Sequence, residues 1–187
     1  MTGKELIFAA FNREKNIRTP WVPFVGCHGG KLIGAPADQY LKSGDLITRG
    51  LKKACELYQP DGLPIIFDLQ VEAEILGCDL QWAKDVPPSV VSHPLSSSVG
   101  KTLDDLPEYR TDKGRFPEIK KVLQSAGSDF GKDIALYGLI CGPFTLALHL
   151  LGNEIFLEMY DNPDNLSLIH ISEPTRPLYI SYAVFCL

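Results

Sequence analysis

No C-x-x-C pair, no cluster of lysines and arginines interleaved with aromatics, no internal repeat and no low-complexity tract occurs in these 187 residues. Without a basic cluster, and with a formal net charge of -5, the chain lacks the electrostatic footprint that nucleic acid or an anionic membrane surface requires. A small molecule is the expected partner. The five cysteines (Cys27, Cys55, Cys78, Cys141, Cys186) stand singly. With no secretory leader ahead of them, they are expected to be reduced thiols of a cytoplasmic protein. A composition of 45% hydrophobic against 22% charged residues is that of a globular chain, so disorder is excluded.

One apolar run is long enough to call for a membrane test. "IALYGLICGPFTLALHLLG", residues 134 to 152, holds no Asp, Glu, Lys or Arg over nineteen positions. Gly138, Gly142 and Pro143 divide it. The expectation is a buried strand at 134–140, then a helix with Pro143 at its first position, and no membrane span.

The rest of the chain reads as strands alternating with helices. Thr2 and Glu5 form a capping-box pattern that starts a helix. "TPWVPFV" is expected as a short edge strand running into the glycine-rich loop "GCHGGKLIG". Leu46, Ile47, Leu51, Ala54, Cys55 and Tyr58 recur at helical spacing over 45–58. "DGLPIIF" is a turn feeding an apolar strand of the kind covered on both faces by helices. Residues 83–115 read as an insertion, and Pro117 opens a further helix. This order implies a parallel α/β sheet or barrel, in which chemistry gathers at the C-terminal ends of strands.

Three stretches follow strands directly: "GCHGG", "FDLQVEAE" and "CGPFTLALH". Asp68 comes straight after "LPIIF". It either caps the helix "LQVEAEIL", which Gly77 ends, or faces the mouth of the sheet. Glu72 and Glu74, two apart, point roughly 160 to 200° away from each other on a helix, so one is expected to face solvent. "GCHGGKLIG" matches neither G-x-G-x-x-G nor a P-loop, which leaves flexibility for close substrate approach at Gly29 as the milder expectation. Cys27 and His28 are potential zinc ligands, yet adjacent residues do not complete a tetrahedral site. His149, alone on an apolar helix, reads by spacing as a satisfied core residue.

Taken together, "FDLQVEAEILGC", "PSVVSHPL" and "GPFTLALHLLGNEIFLEMYDNPDNL" resemble the N-terminal half of the uroporphyrinogen decarboxylase superfamily over roughly residues 3 to 166. The resemblance implies a TIM-type (β/α)8 barrel whose members decarboxylate uroporphyrinogen or transfer methyl groups from methylated corrinoids to thiols or folates. Counting back from Leu76-Gly77, Asp68 matches the aspartate that in decarboxylases binds the pyrrole N–H groups, and it is expected to be the catalytic residue at the barrel mouth. Glu72, His149, Cys27, His28 and Gly29 are expected to line the substrate site. The arginine-rich block that meets the porphyrinogen carboxylates is replaced by "FVGCHGGKL", and a substrate-facing tyrosine by His149. Both departures favour the methyltransferase branch, with uroporphyrinogen decarboxylation, which needs no cofactor, as the alternative. The methyltransferase branch implies zinc, held by a His-x-Cys pair and a later Cys, and a corrinoid-carrying partner protein. No His-x-Cys occurs in the chain, so no metal ligands are expected within it.

A (β/α)8 barrel takes about 250 residues, so residues 1 to 166 are expected to supply about half of one. "SLIHISEPTRPLYISYAVFCL" does not continue the pattern: Pro174 and Pro177 break any helix there, and the string resembles translated sequencing adapter. Residues 167–187 are therefore expected to be a non-native tail. The chain alone is expected to be an inactive fragment with open strand edges.

Overall fold

A computed structural model describes residues 1–97, 99 and 103–161, together with the backbone of 184–186. Helix α1 (Gly3–Phe11) begins with the expected capping box: Thr2 Oγ1 accepts from the Glu5 N–H at 3.2 Å, and Glu5 Oε2 accepts from the Thr2 N–H at 2.8 Å. Residues 19–25 form no strand. Pro20 and Pro23 donate nothing to a ladder, and one backbone bond, Asp61 N–H to the Trp21 carbonyl at 2.9 Å, ties this segment to the sheet. Asp61 completes the tie, taking the Arg18 guanidinium at 2.5 and 2.6 Å and the Trp21 N–H at 2.8 Å.

The supposed glycine loop is also different. Residues His28–Leu32 are a short helix, α2, followed by α3 (Ala37–Tyr40) and α4 (Gly44–Tyr58). Helix α4 starts at Ser43, whose hydroxyl accepts from the Leu46 N–H at 3.3 Å. Strand β1 (Gly62–Pro64) runs into α5 (Val71–Ile75). A hairpin of β2 (Leu80–Gln81) and β3 (Ser89–Val90) follows, then α6 (Phe116–Asp129) and β4 (Ala135–Leu139). Helices α7 (Pro143–Leu151) and α8 (Ile155–Asp161) come next, α7 with Pro143 at its start as expected.

Strands β1 and β4 pair in parallel with Leu63 opposite Leu136, and the Ile65 N–H extends the ladder to the Tyr137 carbonyl at 2.9 Å. A short β5 (Val184–Cys186) lies antiparallel on the other side of β4, giving the order β1-β4-β5, so this sheet is mixed rather than purely parallel. The remainder of the 167–187 tail lies outside the described residues.

The core sits between the sheet and the helices. Ile47, Leu51 and Ala54 of α4 meet Val122 and Ala126 of α6 over Leu63 and Leu136, all buried. Each large aliphatic side chain there contributes about 2 kcal/mol by leaving water. Packing of α4 on α6 thereby fixes both connections that lead to the strand ends. Among the described residues no helix is long and apolar enough to cross a membrane.

Candidate active site

The turn after β1 is built by Asp68. Its Oδ1 accepts from the Gln70 N–H at 2.9 Å, a bond across two residues that turns the chain into α5, while the N-cap itself is Gln70. Gly77 ends that helix with φ +94°: its N–H reaches the Glu74 carbonyl at 3.2 Å and the Cys78 N–H the Ala73 carbonyl at 2.9 Å, a Schellman closure. Asp68 does not open onto solvent. Its side chain is fully buried, and its second oxygen takes a hydrogen bond from Arg115 Nη1.

Arg115 is itself 5% exposed. Its Nε donates to Glu74 Oε2 at 2.7 Å, Nη1 also reaches the Leu41 carbonyl at 3.5 Å, and the guanidinium lies 4.8 Å over the Trp82 ring. Burial works against its charge, but Asp68 and Glu74 outweigh burial and hold the arginine's pKa above its ordinary value. Neither glutamate of α5 turns fully to solvent, contrary to the spacing argument: Glu74 is taken by Arg115, and Glu72 Oε1 accepts the Cys141 N–H at 3.1 Å. That contact spans from α5 to the loop after β4. Burial pushes the Glu72 carboxyl up, the Cys141 N–H partly offsets this, and the Asp68 charge adds to the rise.

The charge of Asp68 also reaches Cys27 and His149. Burial first, then Asp68, raises the Cys27 thiol, so this cysteine stays protonated at neutral pH. The Cys141 thiol is pushed up to about 12 by burial and Glu72. Burial, with help from His93, lowers His149 while Asp68 pulls the other way, leaving a neutral imidazole. The His149 carbonyl is held by His93 Nδ1 at 2.8 Å and by the Cys78 thiol at 3.4 Å. Four polar atoms around Asp68 are buried without a protein partner among the described residues: Gln70 Oε1, Glu72 Oε2, Arg115 Nη2 and His149 Nε2.

Glu72, Cys27 and His149 thus each lie within electrostatic reach of Asp68. His28 and Gly29 are engaged elsewhere. His28 is exposed and pairs with Tyr58 at 2.7 Å, its ring stacked on the phenol. Gly29 is buried, and a Cβ there would lie 2.3 Å from Tyr40 Oη. Close packing of α2 against Tyr40 leaves no room for a side chain at 29. Among the described residues no group of three or more His, Cys, Asp or Glu side chains could hold a metal ion.

Sequence reasoning missed Arg115 and Trp82, and it named Glu74 as a helix carboxylate without placing it in the site. One signal was available: an arginine at the N-cap of α6, where Ser, Thr, Asp or Asn are usual and the helix dipole opposes a cation.

Helices flanking a β1/β4 parallel pair, with buried ionisable groups beyond the strand ends, define an α/β fold. The chain belongs to the uroporphyrinogen decarboxylase (URO-D) family, whose sequence pattern matches residues 2–170. A solved structure of a methyltransferase from Methanosarcina mazei superposes with a TM-score of 0.79 at 22% identity, covering 92% of this chain and 52% of that one. In sequence, the methylcobamide:CoM methyltransferase MtbA of M. mazei is 31% identical over 106 residues, which is 56% of this chain and 30% of that protein. MtbA of M. acetivorans is 28% identical over 102 residues, covering 54% and 29%. The methylated-thiol--coenzyme M methyltransferase of M. mazei is 31% identical over 88 residues, covering 47% and 23%. The chain therefore matches less than a third of the length of these curated relatives and about half of the solved neighbour.

Proposed function

We propose that residues 1–166 are the N-terminal half-barrel of a cytoplasmic methyltransferase, which moves a methyl group from a methylated corrinoid, carried on a partner protein, to a thiol or folate acceptor. What supports this reading is membership of the family together with relatives named as methyltransferases, and the polar atoms around Asp68 without a partner among the described residues are groups whose hydrogen bonds a bound ligand or water would complete. Glu72 Oε2 and His149 Nε2 are the groups proposed to meet the substrate. Asp68, locked between Gln70 N–H and Arg115, acts as a positioning residue that sets the field they feel. The names of the relatives support methyl transfer over decarboxylation.

Electrostatics supports the same choice. A porphyrinogen carries many carboxylates and needs unpaired cations to receive them. The site's buried cation, Arg115, is already paired with Asp68 and Glu74, and Glu72 adds a further carboxyl. Zinc remains implied for the complete enzyme by the family resemblance. The donors described in this chain do not form a site for it, so no step is assigned through it. Residues 167–187 are proposed to be foreign to the enzyme, and the isolated chain to be inactive.

The test is a pair of assays on the protein carrying residues 1–166 within its complete reading frame. Loss of the methylcobalamin spectrum on addition of a thiol, without release of carbon dioxide from uroporphyrinogen, is the expected result. The reverse pattern would assign decarboxylation.

A further inference from the structure

Helix α7 carries His149 in its last turn, where backbone carbonyls lie beyond the helical ladder and need donors from outside it. The Gly152 N–H takes the Leu148 carbonyl, and the segment after β3 supplies two more donors. His93 Nδ1 lies 2.8 Å from the His149 carbonyl, and the Leu95 N–H donates to the Leu150 carbonyl at 2.9 Å. Glu154 then accepts from the Ser97 N–H at 2.5 Å and from the Ser97 hydroxyl at 2.9 Å. Residues 93–97 therefore form a strap across the end of α7. Pro94 disfavours helical backbone at His93, which keeps the start of the strap extended. Gly152 completes the fit. It leaves α7 with φ +65°, and a Cβ there would lie 2.8 Å from His93 Cδ2 and 3.0 Å from Cγ, so glycine is what makes room for the imidazole.

We propose that His93 is a positioning residue for His149: by closing the last turn of α7, it holds the His149 ring in one place within reach of Asp68. A carbonyl only accepts, so the bond requires a proton on His93 Nδ1. The Cys78 thiol, a weak donor at 3.4 Å from the same carbonyl, does not replace it. Charge runs through the same pair. Burial, and after it the like charge of His93, lowers the His149 pKa, while Asp68 raises it. Two further ionisable groups lie here: the Cys78 thiol, pushed up to about 11 by burial and so neutral, and Glu154 on the strap. The inference deepens the methyl-transfer reading and rests on it at one point, that His149 meets the substrate.

The experiment follows the imidazole nitrogen signals of the histidine-labelled 187-residue protein by NMR against pH, assigned by single histidine substitutions. In the wild type, His93 Nδ1 is expected to be protonated and His149 to titrate below the ordinary histidine range. His93→Leu removes both donor and charge and is expected to move the His149 ring signals. His93→Asn returns a donor without the charge. Its His149 signals are expected at their wild-type positions where the ring is neutral, with a titration midpoint that rises because the like charge is gone. A merely structural role would not separate these two readouts. If the leucine variant does not fold, the asparagine variant decides alone. Unmoved His149 signals in a folded leucine variant, an unprotonated His93 Nδ1, or an asparagine variant with the wild-type midpoint overturns the proposal. Methyl transfer by the complete enzyme then separates this inference from the reading it rests on. A rate about tenfold lower in His93→Leu and recovered in His93→Asn is expected. An unchanged rate with moved ring signals upholds the positioning and removes His149 from the reaction.

Discussion

Asp68 and Arg115, 47 positions apart in sequence, form an ion pair in which the carboxylate is fully buried and the guanidinium side chain only 6% exposed. The pair joins the end of β1 to the start of α6, and through Glu74 it also holds α5. A buried pair adds little by itself, because desolvation consumes most of its Coulomb energy, but removing one member strands the other.

Arg115→Met is accordingly expected to destabilise the protein by about 3–5 kcal/mol. Asp68→Asn combined with Arg115→Met should cost clearly less than the sum of the two single changes. Urea denaturation of the three variants measures this, and additive losses would show that the pair is not coupled.

Glu72 gives stability a pH dependence of opposite sign to that of most carboxylates. Its folded pKa is raised, so the folded state binds the proton more tightly than the unfolded chain. Stability from this group is fully present below the usual glutamate range and is lost as pH rises through the folded value. Glu72→Gln should therefore gain relative to the wild type between about pH 4 and pH 7. Denaturation midpoints at both pH values test it, and a relative gain toward acid would contradict it.

Asp61 behaves in the other direction. Hydrogen bonds from Arg18 lower its carboxyl, with the Trp21 N–H assisting and burial opposing. Its contribution is present above the ordinary aspartate range and disappears as pH falls through the lowered folded value. Asp61→Asn is expected to cost about 1–3 kcal/mol at pH 7 and to blunt acid unfolding, as read from circular dichroism against pH.

Two glycines separate packing from conformational freedom. Gly29→Ala places a methyl 2.3 Å from Tyr40 Oη, with an expected loss of about 1–3 kcal/mol that Tyr40→Phe partly restores. Gly127→Ala, in the last turn of α6 with nothing within 4 Å, is expected to add about 0.5–1 kcal/mol. Thermal midpoints of the variants decide both.

Local signals carried most of the fold. The capping box at Thr2, the amphipathic spacing of α4, Pro143 at the start of α7 and Gly77 after α5 were all legible, because each is decided by neighbours within a turn or two. Residues 19–25 and 28–32 were misread for the same reason. A strand needs a partner ladder, and "HGGKL" is helical because Gly29 and Gly30 let α2 settle against Tyr40. Asp68 stood out as a carboxylate in an apolar run. Its partner Arg115 did not, since their meeting is a product of the β1–α6 topology and leaves no periodic trace.

The most direct test of the account is the rate at which the complete enzyme demethylates methylcobalamin with a thiol acceptor, compared between wild type and Glu72→Gln. The account predicts methyl transfer by the wild type and a rate at least about tenfold lower in the variant, with the circular dichroism spectrum preserved. An unchanged rate, or a wild-type enzyme that leaves methylcobalamin intact and decarboxylates uroporphyrinogen, would contradict it.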